Sequence, residues 1–149
     1  MDIFSLIKKD HQEVTSLFKK LHDAQGSRVM CEQLFTQLKE ELELHSHAEA
    51  QVFYPALQED EVMQEMVEEA LDDHQLMAEL LEELATTRTG SAAWDEKLQI
   101  LEEHVQEHVE EEESDIFDVA RQFLSEGDAA ELAERWQTAK QEQMARHAK

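Results

Sequence analysis

Six side chains have the types and spacing to hold metal ions. His45 and Glu49 stand four residues apart, as do His108 and Glu112, while His11 and His74 each sit inside an Asp-His-Gln tripeptide. Residues four apart share one face of a helix, so each carboxylate can share a metal with its own histidine and reach toward the opposite one. Neutral imidazole and carboxylate are good ligands for iron. Buried with nothing to neutralise them, the same groups would cost on the order of several kcal/mol per charge. A pair of cations removes that penalty, and metal binding is the chemistry this set predicts.

The pattern occurs twice at an offset of 63 residues. Asp10-His11-Gln12 recurs as Asp73-His74-Gln75, and His45 with Glu49 recurs as His108 with Glu112. Apolar positions keep their character under the same shift: Leu17, Leu21, Leu38, Leu42 and Phe53 map to Leu80, Leu84, Leu101, Val105 and Ile116. The two halves read as related helical hairpins.

The elements that must position these residues are helices. The 149-residue chain has three Gly and one Pro, against abundant good helix formers. Turn signals fall at Gly26-Ser27, Pro55 through Glu61, Gly90-Ser91 and Gly127-Asp128. Between them the spacing predicts helices at about 2–24, 28–57, 61–87, 92–125 and 129–146. Ser91 fits an N-cap of the fourth helix, and Asp128 with Glu131 has the form of a capping box for the fifth. Short connections imply antiparallel neighbours. The expected fold is therefore all-α: an up-down-up-down antiparallel four-helix bundle over residues 1–125, with an additional C-terminal helix in 126–149 of the same domain.

Each helix carries an inward stripe with histidine in it. The first offers Ile3, Ile7, His11, Val14, Phe18 and Leu21, and the second Leu38, Leu42, His45, Glu49, Val52 and Ala56. The third has Met63, Val67, Ala70, His74, Met77, Leu81 and Leu84; the fourth has Leu101, Val105, His108, Glu112, Ile116, Val119 and Phe123. Residues equidistant from a turn lie side by side in antiparallel helices. The midpoint of 11 and 45 is 28, that of 45 and 74 is 59.5, and that of 74 and 108 is 91, each at a predicted turn. All four histidines are thus expected in one layer near the middle of the bundle, ~25 Å from one end at ~1.5 Å per residue.

A His on the first helix, His-x-x-x-Glu on the second, His on the third and His-x-x-x-Glu on the fourth resemble the hemerythrin-like (HHE cation-binding) family over residues 2 to about 125. The resemblance implies two non-haem iron ions with a bridging oxo or hydroxo group. His11 and His45 would hold one iron, His74 and His108 the other, with Glu49 and Glu112 bridging and open positions receiving a small diatomic ligand or peroxide. Oxygen-carrying members place two histidines one turn apart on the third helix, whereas the positions four residues either side of His74 are Ala70 and Ala78. His104, four residues before His108, is a candidate for an additional ligand, although its repeat partner is Glu41.

Competing readings make different demands. A ferritin-like centre needs Glu-x-x-His, but Lys8, Leu42, Leu71 and Val105 stand three residues before the four histidines. His-Glu-x-x-His, the zinc hydrolase signature, does not occur. Manganese or a mixed pair fits the same donors, and a metal-free polar network is the bland alternative. Tyr54, Asp10 and Asp73 are candidates to orient imidazoles or to serve the packing alone. His22, His47 and His147 read as exposed, and Glu110, Glu111 and Glu113 as solvated. Leu132, Trp136 and Ala139 on the fifth helix either pad the bundle or mediate self-association.

Thirteen Lys and Arg against 36 Asp and Glu leave a net charge of -23, which repels phosphate backbones and anionic lipid surfaces. No nucleic-acid or membrane partner is expected, and no stretch approaches the ~18 apolar residues needed to span a bilayer. Cys31 is the only cysteine and the N-terminus lacks a signal-peptide pattern, which fits a reducing cytoplasm and a monomer or weak homo-oligomer. The function expected is binding or sensing of oxygen, nitric oxide or peroxide. The alternatives are a di-iron stress-defence enzyme (peroxide or nitric-oxide turnover, or iron donation for iron-sulfur cluster repair) and a metal-free interaction module.

Overall fold

The computed structural model describes residues 1–147, with the His147 side chain, expected to be exposed, outside what is described. The elements are α1 (Ile3–Asp23), α2 (Arg28–Ala48), a π-helical turn π1 (Glu49–Phe53), α3 (Tyr54–Leu57), α4 (Glu61–Ala85), α5 (Ala92–Glu111), a second π-helical turn π2 (Glu112–Ile116), α6 (Phe117–Phe123) and α7 (Glu126–His147). The π turns join their neighbours without a break, giving five helical runs in an all-α bundle with an extra C-terminal helix. Among the described residues, no helix is long and apolar enough to cross a membrane.

The helix starts are set by side chains that accept otherwise unpaired backbone N–H groups. Asp2 caps α1 through Ser5, Ser27 caps α2 through Met30, Asp60 caps α4 through Val62 and Met63, and Ser91 caps α5 through Trp94. Gly26 and Gly90 supply the positive φ angles (97° and 83°) that turn the chain before α2 and α5. The capping box of the last helix lies three residues earlier than expected. Ser125 Oγ accepts from the Asp128 N–H at 3.1 Å while Asp128 Oδ2 accepts from the Ser125 N–H at 3.1 Å. Asp128 is thus the reciprocating acid of a Ser-x-x-Asp box, not the cap, and the helix includes Gly127.

The inward stripes predicted on the first and third helices hold on both sides of the histidine layer, whereas those on the second and fourth hold through Val52 and Ile116 and then shift. An i→i+5 turn contains roughly one more residue than an α turn, so everything beyond it is rotated on the helix. After π1, Leu57 takes the core position and Ala56 is left half-buried at its margin; after π2, Phe117 and Ala120 take the core, with Val119 half-buried beside them. Phe123, predicted to be inward, is 56% exposed.

The core divides into two apolar clusters, one above and one below the histidines. Val14, Phe18, Leu38, Leu42, Met77, Leu81, Trp94 and Leu101 belong to the cluster at the hairpin-turn end. Ile7, Val52, Phe53, Val67, Phe117, Leu132 and Trp136 belong to the other. Helix α7 therefore pads the bundle, with Leu132 and Trp136 buried and Ala139 packed at the margin. Trp136→Ala should destabilise the chain by about 3–5 kcal/mol, as for other buried aromatics. Phe123→Ala should stay within about 0.5 kcal/mol. The urea unfolding midpoints of the two variants check both values.

Candidate metal centre

The four histidines meet at one level. The rings of His11 and His45 have centroids 5.0 Å apart, as do those of His74 and His108. Glu49 Oε1 lies 2.9 Å from His45 Nε2 and 3.1 Å from His74 Nε2. Glu112 places Oε1 3.1 Å from His11 Nε2 and Oε2 3.6 Å from His108 Nε2. Each carboxylate thus spans from one pair of imidazoles to the other, as the repeat predicted. The π turns begin at these two glutamates, with Tyr54 N donating to Glu49 O and Phe117 N to Glu112 O across the widened loops.

Two groups of ligand-type atoms result: His11, His45 and Glu112, and Glu49, His74 and His108, the atoms of each lying within 4.8 Å of one another. Glu49 and Glu112 are fully buried, and His11, His45 and His108 nearly so. Nε2 of His11, His45 and His108, both oxygens of Glu49 and Oε1 of Glu112 are buried without a hydrogen-bond partner, although they face one another across the distances above. The atoms are close enough to bond but not aligned to do so. Donors ~2.1 Å from a common ion and at right angles to each other stand about 3 Å apart. The spacing and the missing hydrogen bonds fit ligands converging on cations better than they fit a satisfied polar network.

The outer face of the centre is built by groups that hold the imidazoles. Because a carboxylate can only accept, Nδ1–H of His45 donates to Asp10 Oδ2 (2.8 Å), Nδ1–H of His108 to Asp73 Oδ2 (3.1 Å) and Nδ1–H of His11 to Glu113 Oε2 (2.7 Å). The proton is thereby fixed on Nδ1 and Nε2 is aimed inward. The Asp10 carboxylate is itself gripped by Lys140 Nζ, 2.9 Å from each oxygen. Trp136 lies 5.4 Å from the His45 ring. Tyr54, 1% exposed, donates its hydroxyl proton to Glu112 Oε2 (2.5 Å), and the Tyr54 hydroxyl oxygen lies 3.3 Å from His74 Nε2.

These neighbours dictate the charges of the metal-free centre. Burial works against a charged His45, but the Glu49 charge and the hydrogen bond that His45 donates to Asp10 outweigh it and push His45 up to about 10. Burial would raise Glu49, yet His45 beside it keeps its carboxyl well below the usual range. Glu112 moves the other way, raised by burial and then by the Glu49 charge. Asp10 is held low despite its burial by His45 and Lys140. Without cations, the centre therefore draws in protons to balance its carboxylates.

All six predicted residues come together, and His104 does not join them. Its Nε2–H donates to the Asp73 carbonyl at 3.1 Å, outside both groups. His22 is exposed and bonds Glu102 at 2.7 Å, whereas His47 is half-buried rather than exposed. Glu113, read from sequence as solvated, holds His11; its repeat position is Ala50, so the repeat carried no signal for it. Lys140 and Trp136 come from the last helix, 130 residues after Asp10 in the case of Lys140, with no motif to announce them.

Comparison with known proteins bears on the same residues. A curated relative, a DNA nickase from Nostoc sp., is 28% identical over 138 residues, which make up 93% of this chain but 38% of the relative's length. The chain thus spans well under half of that protein. A crystal structure of a hemerythrin HHE cation binding domain-containing protein from Mycobacterium kansasii matches with a TM-score of 0.85 at 20% identity, covering 95% of this chain and 86% of the other, and so shares the fold. The hemerythrin HHE cation binding domain matches residues 2–120, a span that contains all six clustered side chains. Together the family and the two His/Glu groups point to a metal-binding helical protein. The chain belongs to the hemerythrin HHE cation-binding domain family.

Proposed function

We propose that the chain holds two non-haem iron ions, one among His11, His45 and Glu112 and the other among Glu49, His74 and His108, and that it binds or senses oxygen, nitric oxide or peroxide there. The observation that carries this reading is the set of facing imidazole nitrogens and carboxylate oxygens 2.9–3.6 Å apart, all of which except His74 Nε2 and Glu112 Oε2 are buried without a hydrogen-bond partner. Iron, when bound, supplies the affinity and redox capacity toward these small molecules that side chains alone lack.

The chain's own residues provide the rest. Asp10, Asp73 and Glu113 keep the Nδ1 protons in place, so the inward nitrogens of His45, His108 and His11 offer lone pairs. The Tyr54 hydroxyl anchors the second oxygen of Glu112. The apolar clusters above and below keep bulk water away from the layer. Donation of iron to another protein is a second reading, favoured by an acid-lined cavity that reaches His108. A net charge of -23 opposes a phosphate backbone and so weighs against the DNA nicking for which the Nostoc relative is named.

Elemental analysis of purified protein should find about two iron atoms per chain, a ratio set by the two ligand groups. His74→Ala should lower the content toward one or none, and His22→Ala should not change it; equal loss from both contradicts the site. Asp73→Leu, which frees His108 to rotate, should weaken metal binding by about 10–100-fold in a titration against a competing chelator. His45→Leu combined with His108→Leu should abolish iron binding and destabilise the metal-free fold by roughly 3–5 kcal/mol, since it strands the buried Glu49 and Glu112 carboxylates without their imidazole partners; a fold left as stable or more so favours a metal-free module. Thermal unfolding with and without iron checks this. Stopped-flow mixing of the di-ferrous protein with oxygen, peroxide and nitric oxide separates reversible binding from turnover.

A further inference from the structure

The 63-residue repeat would make the two cation positions equivalent, since Asp10 serves His45 as Asp73 serves His108. The rest of the chain removes that equivalence. At the first position both imidazoles are oriented by carboxylates, His45 by Asp10 and His11 by Glu113. Asp10 is 6% exposed, pinned at 2.9 Å through each oxygen by Lys140, and Trp136 covers the His45 ring. Both of these side chains come from α7, beyond the residues 2–120 that carry the family match.

At the second position only His108 has such a support. Its Asp73 side chain is 29% exposed, and among the described residues no lysine or arginine pairs with it. The repeat position of Glu113 is Ala50, so His74 gains no equivalent carboxylate, and the Tyr54 hydroxyl 3.3 Å from His74 Nε2 competes for the atom that would bind a cation. A cavity of about 150 Å³ opens beside this position. Glu69, Asp73, Glu111 and Asp115 line it together with His108, which is 4% exposed and whose Nε2 has no partner. Carboxylates along a narrow passage concentrate cations and offer replacement ligands to an ion leaving an imidazole.

We infer that the two cation positions are unequal by construction: the C-terminal helix locks the ion of His11, His45 and Glu112 in place, while the ion of Glu49, His74 and His108 is exchanged through the acid-lined mouth at His108. Resting on the two-iron reading above, this deepens it: the chain keeps one ion and can surrender the other to a chelating acceptor. Lys140 acts through Asp10 as a positioning residue.

The full chain, loaded anaerobically with ferrous iron, is mixed with excess chromogenic ferrous chelator and the release is followed. Two phases of one iron each are expected, separated by at least about 10–100-fold in rate, the range over which an outer partner tunes a metal ligand. Combining Glu69→Gln, Glu111→Gln and Asp115→Asn, at exposed positions, should slow the fast phase several-fold and leave the slow one unchanged. Lys140→Met should speed the slow phase by roughly 10-fold, with Lys140→Arg restoring it. Loss of both ions in a single phase, or a mouth variant that slows both phases alike, overturns the inference and leaves the two-iron reading standing. A chain that takes up no ferrous iron overturns both.

Discussion

Two carboxylates buried to zero exposure among four imidazoles, with all their facing atoms except Glu112 Oε2 and His74 Nε2 unbonded, are the constraint on which the rest of the structure depends. Such a set is unfavourable in a dry interior until opposite charge arrives, and it tolerates little misplacement. The hairpins meet that demand by symmetry of length: the Gly26 and Gly90 turns lie midway between paired histidines, so four helices deliver one imidazole each to a common level. Capping by Ser27, Asp60 and Ser91 fixes where each helix begins and so fixes that level.

The π turns solve a second problem at the same place. Glu49 and Glu112 must each reach across to the opposite hairpin, and the widened loop begins at the residue that does so. The extra residue then hands the inward face to a new stripe, which brings Tyr54 to the centre and its repeat partner Phe117 into the apolar cluster. One hydroxyl thus distinguishes the halves where backbone geometry does not. The distinction is enlarged by α7, which has no place in the repeat and supports Asp10 and His45 of the first hairpin but not their repeat partners.

What could be read in advance follows from this division. Helix number, the histidine level and the six converging side chains were legible because they rest on periodicity, turn residues and an internal repeat, all local or pairwise in sequence. Ala56 sits at the core margin and Phe123 outside it because α periodicity does not continue through turns that are not α, and nothing in the residue types marks an i→i+5 turn. Asp128 fits two capping boxes by spacing, one with Glu131 after it and one with Ser125 before it, and only the second forms. Glu113 lay hidden in a run of glutamates, distinguishable only once the helix was rotated by π2, and Lys140 depended on how a solitary last helix would dock.

The polar layer also parts the interior into two dry compartments, one around Leu38, Leu101 and Trp94 and the other around Phe53, Phe117 and Trp136. Few apolar contacts can bridge that boundary, because the side chains that occupy it are the imidazoles and carboxylates themselves. The molecule accordingly has a waist. Cations seated there would act as rivets between the two separately packed compartments, so ion occupancy would govern how far strain or unfolding begun at one end travels to the other.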